Sequence, residues 1–247
     1  METNIQALIE NITNNFEFKS IHLNEFITFS DKPINIIIST KDDVNYMIFV
    51  FVDYSDLKEI CKHIQIEIFT RLKVLMNEEK NEVLSSLNKA LDKNSTLIIS
   101  TIVPNALQTM ELNKFVSAIE EDSYYYKKQV LTFKETDNDF IKELLADELG
   151  AVIACEKVIS NIDNYEAFSS NLLYGLGDNK YQMTAMLYEK LPFLTLRVDK
   201  EERLSLQDMI RQELIKSEQL ENVNIYRELK TKESINLWVD SIGVKND

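Results

Sequence analysis

The sequence predicts an α+β fold, in which a small mixed sheet covered by helices is followed by a mainly helical C-terminal domain. Runs rich in β-branched and aromatic residues, separated by short turn-forming clusters, fill much of the first part of the chain. Apolar residues at helical spacing dominate the second part. The 247 residues include only four Gly and three Pro, and this scarcity favours long helices over turn-dense β sandwiches.

The chain is predicted to begin with one helix and three strands. Ile5, Leu8, Ile9 and Ile12 recur at helical spacing, which indicates an amphipathic helix that ends near Asn14. The β-rich runs that follow are Phe16–Phe29, Ile34–Ser39 and Tyr46–Val52. Their short connections favour an antiparallel meander. The third run is apolar at nearly every position, so we expect its strand to be covered on both faces.

A long helix and an α/β unit are predicted next. A continuous apolar stripe over residues 55–76 should cover the sheet, and Asp53 and Ser55 are candidate caps for this helix. The elements predicted after it are a helical stretch over 77–91, a strand over Thr96–Val103, a helix over 107–119 and a strand over Lys127–Phe133. Because a helix separates the last two strands, they are expected to be parallel neighbours.

The wholly polar stretch at residues 134–139 resembles a linker, and the apolar periodicity becomes almost purely helical after it. We therefore predict an N-terminal α/β domain over residues 1–136 and a helical C-terminal domain over residues 137–247. The elements predicted in the second domain are helices over 140–160, 163–174, 179–190, 203–220 and 231–241, with a short strand over Leu194–Val198.

Composition limits the classes of partner. The formal net charge of −14, with no basic run longer than Lys127–Lys128, disfavours tight autonomous binding to nucleic acid, because such binding depends on clustered Lys and Arg. No apolar run approaches the roughly 18 residues of a membrane span, and the N-terminus lacks the pattern of a signal peptide. Cys61 and Cys155 lie in separate apolar patterns, which indicates buried thiols rather than a disulfide or zinc pair. We expect a cytoplasmic protein with no membrane partner.

The motifs of catalysis are weak. The glycine pair Gly175 and Gly177 follows a predicted helix rather than a strand, so it is more typical of a helix C-cap than of a phosphate loop. His22 and His63 have no metal-ligand spacing. Glu-x-Lys spacings, as in carboxylate-metal nucleases, occur at residues 78–80 and 228–230 but not on predicted strands. We predict no catalytic residue, metal or cofactor, with a divergent metal-dependent nuclease as the main catalytic alternative.

The segment over residues 117–133 is unlike ordinary core or surface. It contains three acids, three adjacent tyrosines and two lysines: Glu120, Glu121, Asp122, Tyr124, Tyr125, Tyr126, Lys127 and Lys128. Three adjacent tyrosines cannot all face inward on a strand, so at least one is expected at a surface or interface. We predict that these residues contact a partner protein, and that Trp238, in an apolar C-terminal stretch, serves either as core or as an interface anchor.

This acidic, aromatic and basic order resembles the signature of the middle components of bacterial three-component ABC-ATPase systems, a group that includes the small subunit of Lamassu-type antiphage defence. Ser123 stands where a proline often occurs in that signature. A helical segment closing with YEKLPFLTL, Tyr188–Leu196, is also similar. The resemblance implies a non-catalytic accessory subunit that bridges an SMC-like or Rad50-like ABC ATPase and an effector subunit, often a nuclease. The remaining alternative is a stand-alone regulatory or immunity-type protein that acts through its acidic surface.

Overall fold

The computed structural model describes residues 1–41, 45–77, 91, 94–104, 109–174, 179–196, 210, 215 and 231–243. The chain divides into two compact units, Met1–Arg197 and Val198–Asp247. The first contains the sheet and most of the described helices, and the second contains one described helix.

The sheet has five strands that lie side by side in chain order. They are β1 (Lys19–Phe29), β2 (Lys32–Thr40), β3 (Tyr46–Phe51), β4 (Ser95–Val103) and β5 (Lys127–Lys134). The pairs β1–β2 and β2–β3 are antiparallel, and the pairs β3–β4 and β4–β5 are parallel. The predicted meander and the predicted parallel neighbours are therefore both confirmed, and the sheet is mixed.

The α-helices described in the first unit are α1 (Glu2–Asn15), α2 (Gln65–Met76), α3 (Thr109–Glu120), α4 (Asn138–Ala146), α5 (Ala151–Ser160), α6 (Ile162–Tyr174) and α7 (Asn179–Lys190). The α-helix described in the second unit is α8 (Lys232–Gly243). A 3-10 segment at Tyr54–Glu59 and a π-helical segment at Ile60–Ile64 lead into α2. The predicted α+β class is confirmed. No helix within the described ranges combines the length and apolar character that crossing a membrane requires.

Two apolar cores lie on opposite faces of the sheet. One face packs on α1, α4, α5 and α7, and Phe49, Ile98 and Leu131 of the sheet belong to this core. The other face packs on α2 and the segment before it, and Ile48, Ile99 and Val130 belong to that core. Neighbouring residues alternate between the two cores because successive strand side chains point to opposite faces. All six residues of β3 are buried, which confirms the prediction that this strand is covered on both sides.

The division between the two units falls after Arg197 and not at the predicted boundary between residues 136 and 137. The reason is that α4, α5 and α7 share one core with α1 and the sheet. The polar stretch at 134–139 forms a tight 3-10 turn, Glu135–Asp137, rather than a linker. Asp137 is buried there, and its Oδ2 accepts a hydrogen bond from the Lys134 amide at 2.7 Å.

Other predictions differ from the structure in detail. The single helix predicted over 140–160 is in fact the two helices α4 and α5. The break occurs at Gly150, which has a φ of 90° and caps the start of α5. The Gly150 amide donates to the Asp147 carbonyl at 2.9 Å in the turn between the two helices. The strand predicted over Leu194–Val198 is wrong over its described part, because the chain from Leu191 to Leu196 forms a turn and irregular structure. The glycine pair and most of the helices predicted over 77–91 and 203–220 lie outside the described residues.

Candidate docking surface

The segment between α3 and β5 brings most of the predicted partner-binding residues together. Glu120 is the last residue of α3, and Lys127 and Lys128 open β5. Residues Glu121–Tyr126 connect the two elements, and we call this connection the tyrosine loop. Some of its residues are buried or half-buried and others are exposed, so the predicted set separates into two groups with different roles.

The loop is built around the buried ammonium of Lys128. This side chain is 1% exposed, and its Nζ donates to the carbonyl oxygens of Asp122 and Tyr124, each at 2.8 Å, and of Tyr126 at 3.1 Å. Three donors on one ammonium match three loop carbonyls. Lys128 therefore fixes the course of the loop from inside, where a partner cannot reach it.

Asp122 provides a second anchor. Its Oδ1 accepts from the Tyr124 amide at 2.8 Å and lies 3.6 Å from Lys128 Nζ, and its Oδ2 accepts from Gln65 Nε2 at 3.1 Å. Burial acts to raise the pKa of this carboxyl, but the hydrogen bonds from Tyr124, the Cys61 thiol and Gln65, together with Lys128, outweigh burial and lower the pKa. Asp122 is thus held as a carboxylate that ties the loop to the start of α2 and to the π-helical segment before it.

The three tyrosines occupy three environments. Tyr126 is 3% exposed and belongs to the core, whereas Tyr125 is 41% and Tyr124 is 73% exposed. The Tyr126 amide donates to the Tyr124 carbonyl at 2.7 Å, and this two-residue spacing defines a γ-turn centred on Tyr125. The φ of Tyr125 is 62°, a left-handed value that costs a residue with a side chain roughly 1–2 kcal/mol. The turn presents the two outer tyrosines to solvent.

Aromatic and cationic groups from α2 support the inner side of Tyr125. The ring centroids of Phe69 and Tyr125 lie 4.8 Å apart, at an interplanar angle of 58°. Lys73 Nζ lies 4.3 Å from the centroid of the Phe69 ring. Contacts of this kind stabilise aromatic pairs beyond simple area burial. Tyr125 is therefore held on one side and exposed on the other, while Tyr124 projects further into solvent.

Glu120 joins the end of α3 to β5 and α7. Its Oε1 accepts from the Val130 amide at 2.9 Å, and its Oε2 accepts from Lys190 Nζ at 2.9 Å. Both side chains of the Glu120–Lys190 ion pair are less than one fifth exposed. Glu120 thus stabilises the fold rather than offering a charge to a partner.

The outward group consists of Glu121, Tyr124, Tyr125 and Lys127, all exposed. Glu121 also borders a shallow depression on the outer face of α3, whose other lining residues are Met110, Asn113, Lys114, Ser117 and Ala118. Met110 is 72% exposed, and Phe115 is exposed on the same helix. This surface, the four outward residues with the outer face of α3, is our candidate docking surface. It combines exposed aromatic and apolar side chains with charges of both signs, as protein interfaces do.

The other candidate residues belong to other elements. Trp238 lies half-buried in α8 of the second compact unit. His22 lies on β1 with its Nδ1 3.7 Å from Glu10 Oε1, and His63 lies 3.5 Å from Glu59 Oε2. Residues 78–80 and 228–230, with the Glu-x-Lys spacings, are outside the described ranges. Over the part of the chain that the structure describes, no group of three or more His, Cys, Asp or Glu side chains could hold a metal ion.

Several supporting residues were missed in the sequence, namely Cys61, Gln65, Phe69, Lys73 and Lys190. Gln65 could have been noticed in the sequence, because it is a polar residue among the apolar positions of its helix. In the structure it is fully buried. A buried amide requires hydrogen-bond partners, and Gln65 Nε2 finds Asp122 and the Cys61 carbonyl. The partner lies 57 positions away in the chain, a pairing that no local pattern reveals.

Comparison with known proteins does not assign the chain to a family. No family model, no curated protein and no solved structure matches it.

Proposed function

We propose that this protein is a non-catalytic accessory subunit that binds partner proteins through the candidate docking surface. The observation that carries the proposal is the exposure of Tyr124 and Tyr125 on a loop whose backbone is fixed by the buried ammonium of Lys128. Tyrosine is among the residues most enriched at the energetic centres of interfaces. A monomeric fold gains little from a tyrosine that is 73% exposed.

Rigidity strengthens this argument. Ordering a flexible loop on binding costs conformational entropy, and a loop that is already ordered avoids most of that cost. The tyrosine loop is held by three hydrogen bonds that Lys128 donates, by the hydrogen bonds that the two carboxylate oxygens of Asp122 accept, and by the γ-turn at Tyr125. The backbone strain at Tyr125 also supports a functional role for the loop, since strained residues concentrate at functional positions.

The resemblance of the 117–133 segment to middle components of ABC-ATPase systems supplies the partners for this proposal. They are an SMC-like or Rad50-like ABC ATPase and an effector, often a nuclease, acting in the cytoplasm against phage or plasmid DNA. In this scheme the subunit positions or restrains the effector until the ATPase senses foreign DNA. The acidic charge of the chain is compatible with a subunit that does not itself hold the DNA.

Site-specific photocrosslinking tests the proposal. A photoreactive phenylalanine analogue at position 124, in the protein expressed in its own host with its neighbouring genes, should crosslink to an ABC ATPase or to an effector encoded beside it. The same analogue at Glu166, an exposed residue on α6, is the matched control and should give no such product. Crosslinks that are equal at both positions, or a complex that forms without contact at position 124, would contradict the proposed surface.

Two alternative functions, a metal-dependent nuclease and a stand-alone acidic regulator, can each be tested with a biochemical assay. Metal-dependent DNA cleavage by the purified chain, abolished by substitution of a single carboxylate, would replace the accessory role by that of a divergent nuclease. Competition with DNA for a nucleic-acid-binding protein, in the absence of any ATPase, would identify a stand-alone acidic regulator. We expect neither activity.

A further inference from the structure

A cleft of about 490 Å³ runs along the outer edge of β5, which packs against α3 and α7. It reaches the carboxyl ends of the two parallel strands β4 and β5, at Val103 and Lys134. In open sheets with parallel strands, ligands typically bind beyond the carboxyl ends of the strands. The volume also falls within the range of roughly 300–1,000 Å³ that is usual for small-molecule sites.

The backbone of β5 argues against a peptide in this cleft. A peptide added as a further strand would need the outward amides of the edge strand as hydrogen-bond donors. The Val130 amide already donates to Glu120, the Thr132 amide to Met186 Sδ at 3.3 Å and the Lys134 amide to Asp137. Since side chains of the protein occupy all three donors, the cleft is suited to a ligand that binds through side chains instead.

The charges of the cleft leave one ammonium for a ligand. Four charged side chains line it: Lys134, Asp137, Glu189 and Lys190. Lys190 is paired with Glu120 at 2.9 Å and with Glu189 at 3.1 Å, and Asp137 accepts the Lys134 amide. Within the described ranges Lys134 forms no ion pair with any carboxylate. A negatively charged group on a ligand would complete this arrangement.

The rest of the lining is largely apolar. Val116, Phe168, Met183 and Met186 provide an apolar wall, and the amides of Asn113 and Gln182 add neutral hydrogen-bonding groups. Methionine side chains are flexible and adapt to ligands of different shape. We infer that the cleft binds a small organic anion, with a carboxylate or phosphate group on Lys134 and an apolar body against Met183 and Met186. This inference is independent of the proposed docking role.

Methionine-methyl NMR of the full chain tests the inference with three probes: phenylacetate, phenyl phosphate and the neutral phenylacetamide. We expect at least one anion to shift the Met183 and Met186 methyl signals saturably, while Met47 and Met76, which do not line the cleft, stay unchanged. Millimolar affinities are expected for probes of this size. Phenylacetamide should bind about tenfold more weakly, because it lacks the charge that pairs with Lys134. Whichever of phenylacetate and phenyl phosphate binds with the higher affinity shows whether the cleft prefers a carboxylate or a phosphate ligand.

Two lysine variants provide the control. Lys134→Gln should weaken binding of the preferred anion about tenfold, whereas Lys19→Gln, at an exposed position on β1 away from the cleft lining, should leave it unchanged. The methyl spectra report whether each variant is folded. Equal binding of the acid and the amide, wild-type affinity in Lys134→Gln, or no shift of Met183 and Met186 with either anion would overturn the inference.

Discussion

The inward and outward sides of the segment Glu120–Lys128 differ in what they contact, although the two sides are built from the same residue types. Lys127 is exposed, while Lys128 next to it is buried and holds three carbonyls. Tyr124 is exposed, while Tyr126 lies in the core. The environment of each side chain is therefore set by its position in the loop and on the strand rather than by its chemical type. The inward side stabilises the fold, and the outward side is available for a partner.

The largest expected effect comes from the buried tyrosine. Tyr126→Ala should reduce the free energy of unfolding by about 3–5 kcal/mol, because it removes a large buried side chain from the core and leaves a cavity. Urea unfolding followed by far-ultraviolet circular dichroism measures the loss. Tyr124→Ala is the matched control and should change stability by less than about 0.5 kcal/mol. Similar losses in the two variants would abolish the distinction between the inward and outward sides.

The paired lysines give the second comparison. Lys128→Met should cost about 2–4 kcal/mol of unfolding free energy, since methionine keeps the apolar stem but removes the hydrogen bonds that the ammonium donates to the carbonyls of Asp122, Tyr124 and Tyr126. Lys127→Met should be nearly neutral. If Lys128→Met is as stable as the wild type, the loop is not held by the ammonium, and the argument for a rigid surface fails.

A smaller, pH-dependent effect is expected from Asp122. Asp122→Asn should cost about 1–2 kcal/mol at pH 7, through loss of charge-assisted hydrogen bonds. Because folding lowers the pKa of this carboxyl below its ordinary value of 3.8, its contribution is present above that pH and is lost as the pH falls through the folded-state pKa. Urea unfolding at several pH values should thus show the difference between variant and wild type shrinking below 3.8. A difference that stays constant in acid would show that the charge is not responsible.

The regular parts of the fold were predictable from local pattern. The apolar stripe of α1, the uniformly apolar β3 and the helical crossover between β4 and β5 each follow from spacing, and the structure confirms them. The boundary predicted at residues 136 and 137 does not separate the two compact units. That prediction rested on the polar composition of residues 134–139, which resembles that of a linker. Asp137 is in fact buried in a tight turn, and the helices after it complete the core under the sheet.

The inward side of the tyrosine loop could not be predicted in the same way. A lysine is expected at a surface because burial of an unpaired charge is costly. Lys128 shares a strand face with the buried Val130 by the alternation of β5, but its three carbonyl partners depend on the path of the loop. Likewise, Asp122 depends on Gln65, which is distant in sequence. For the three tyrosines, the sequence predicted only that at least one lies at a surface or interface, and it did not predict which.

The most direct test of the central claim is the double variant Tyr124→Ala/Tyr125→Ala, measured both for folding and for affinity toward the ATPase or effector identified by crosslinking. We predict that the complex loses about 2 kcal/mol or more of binding free energy, as expected for two aromatic anchors, while the unfolding midpoint of the free chain changes little. Isothermal titration calorimetry and urea unfolding on the same preparation give the two values. A double variant that unfolds would make these tyrosines part of the core, and one that stays folded with wild-type affinity for every partner would show that the outward side is not a docking surface.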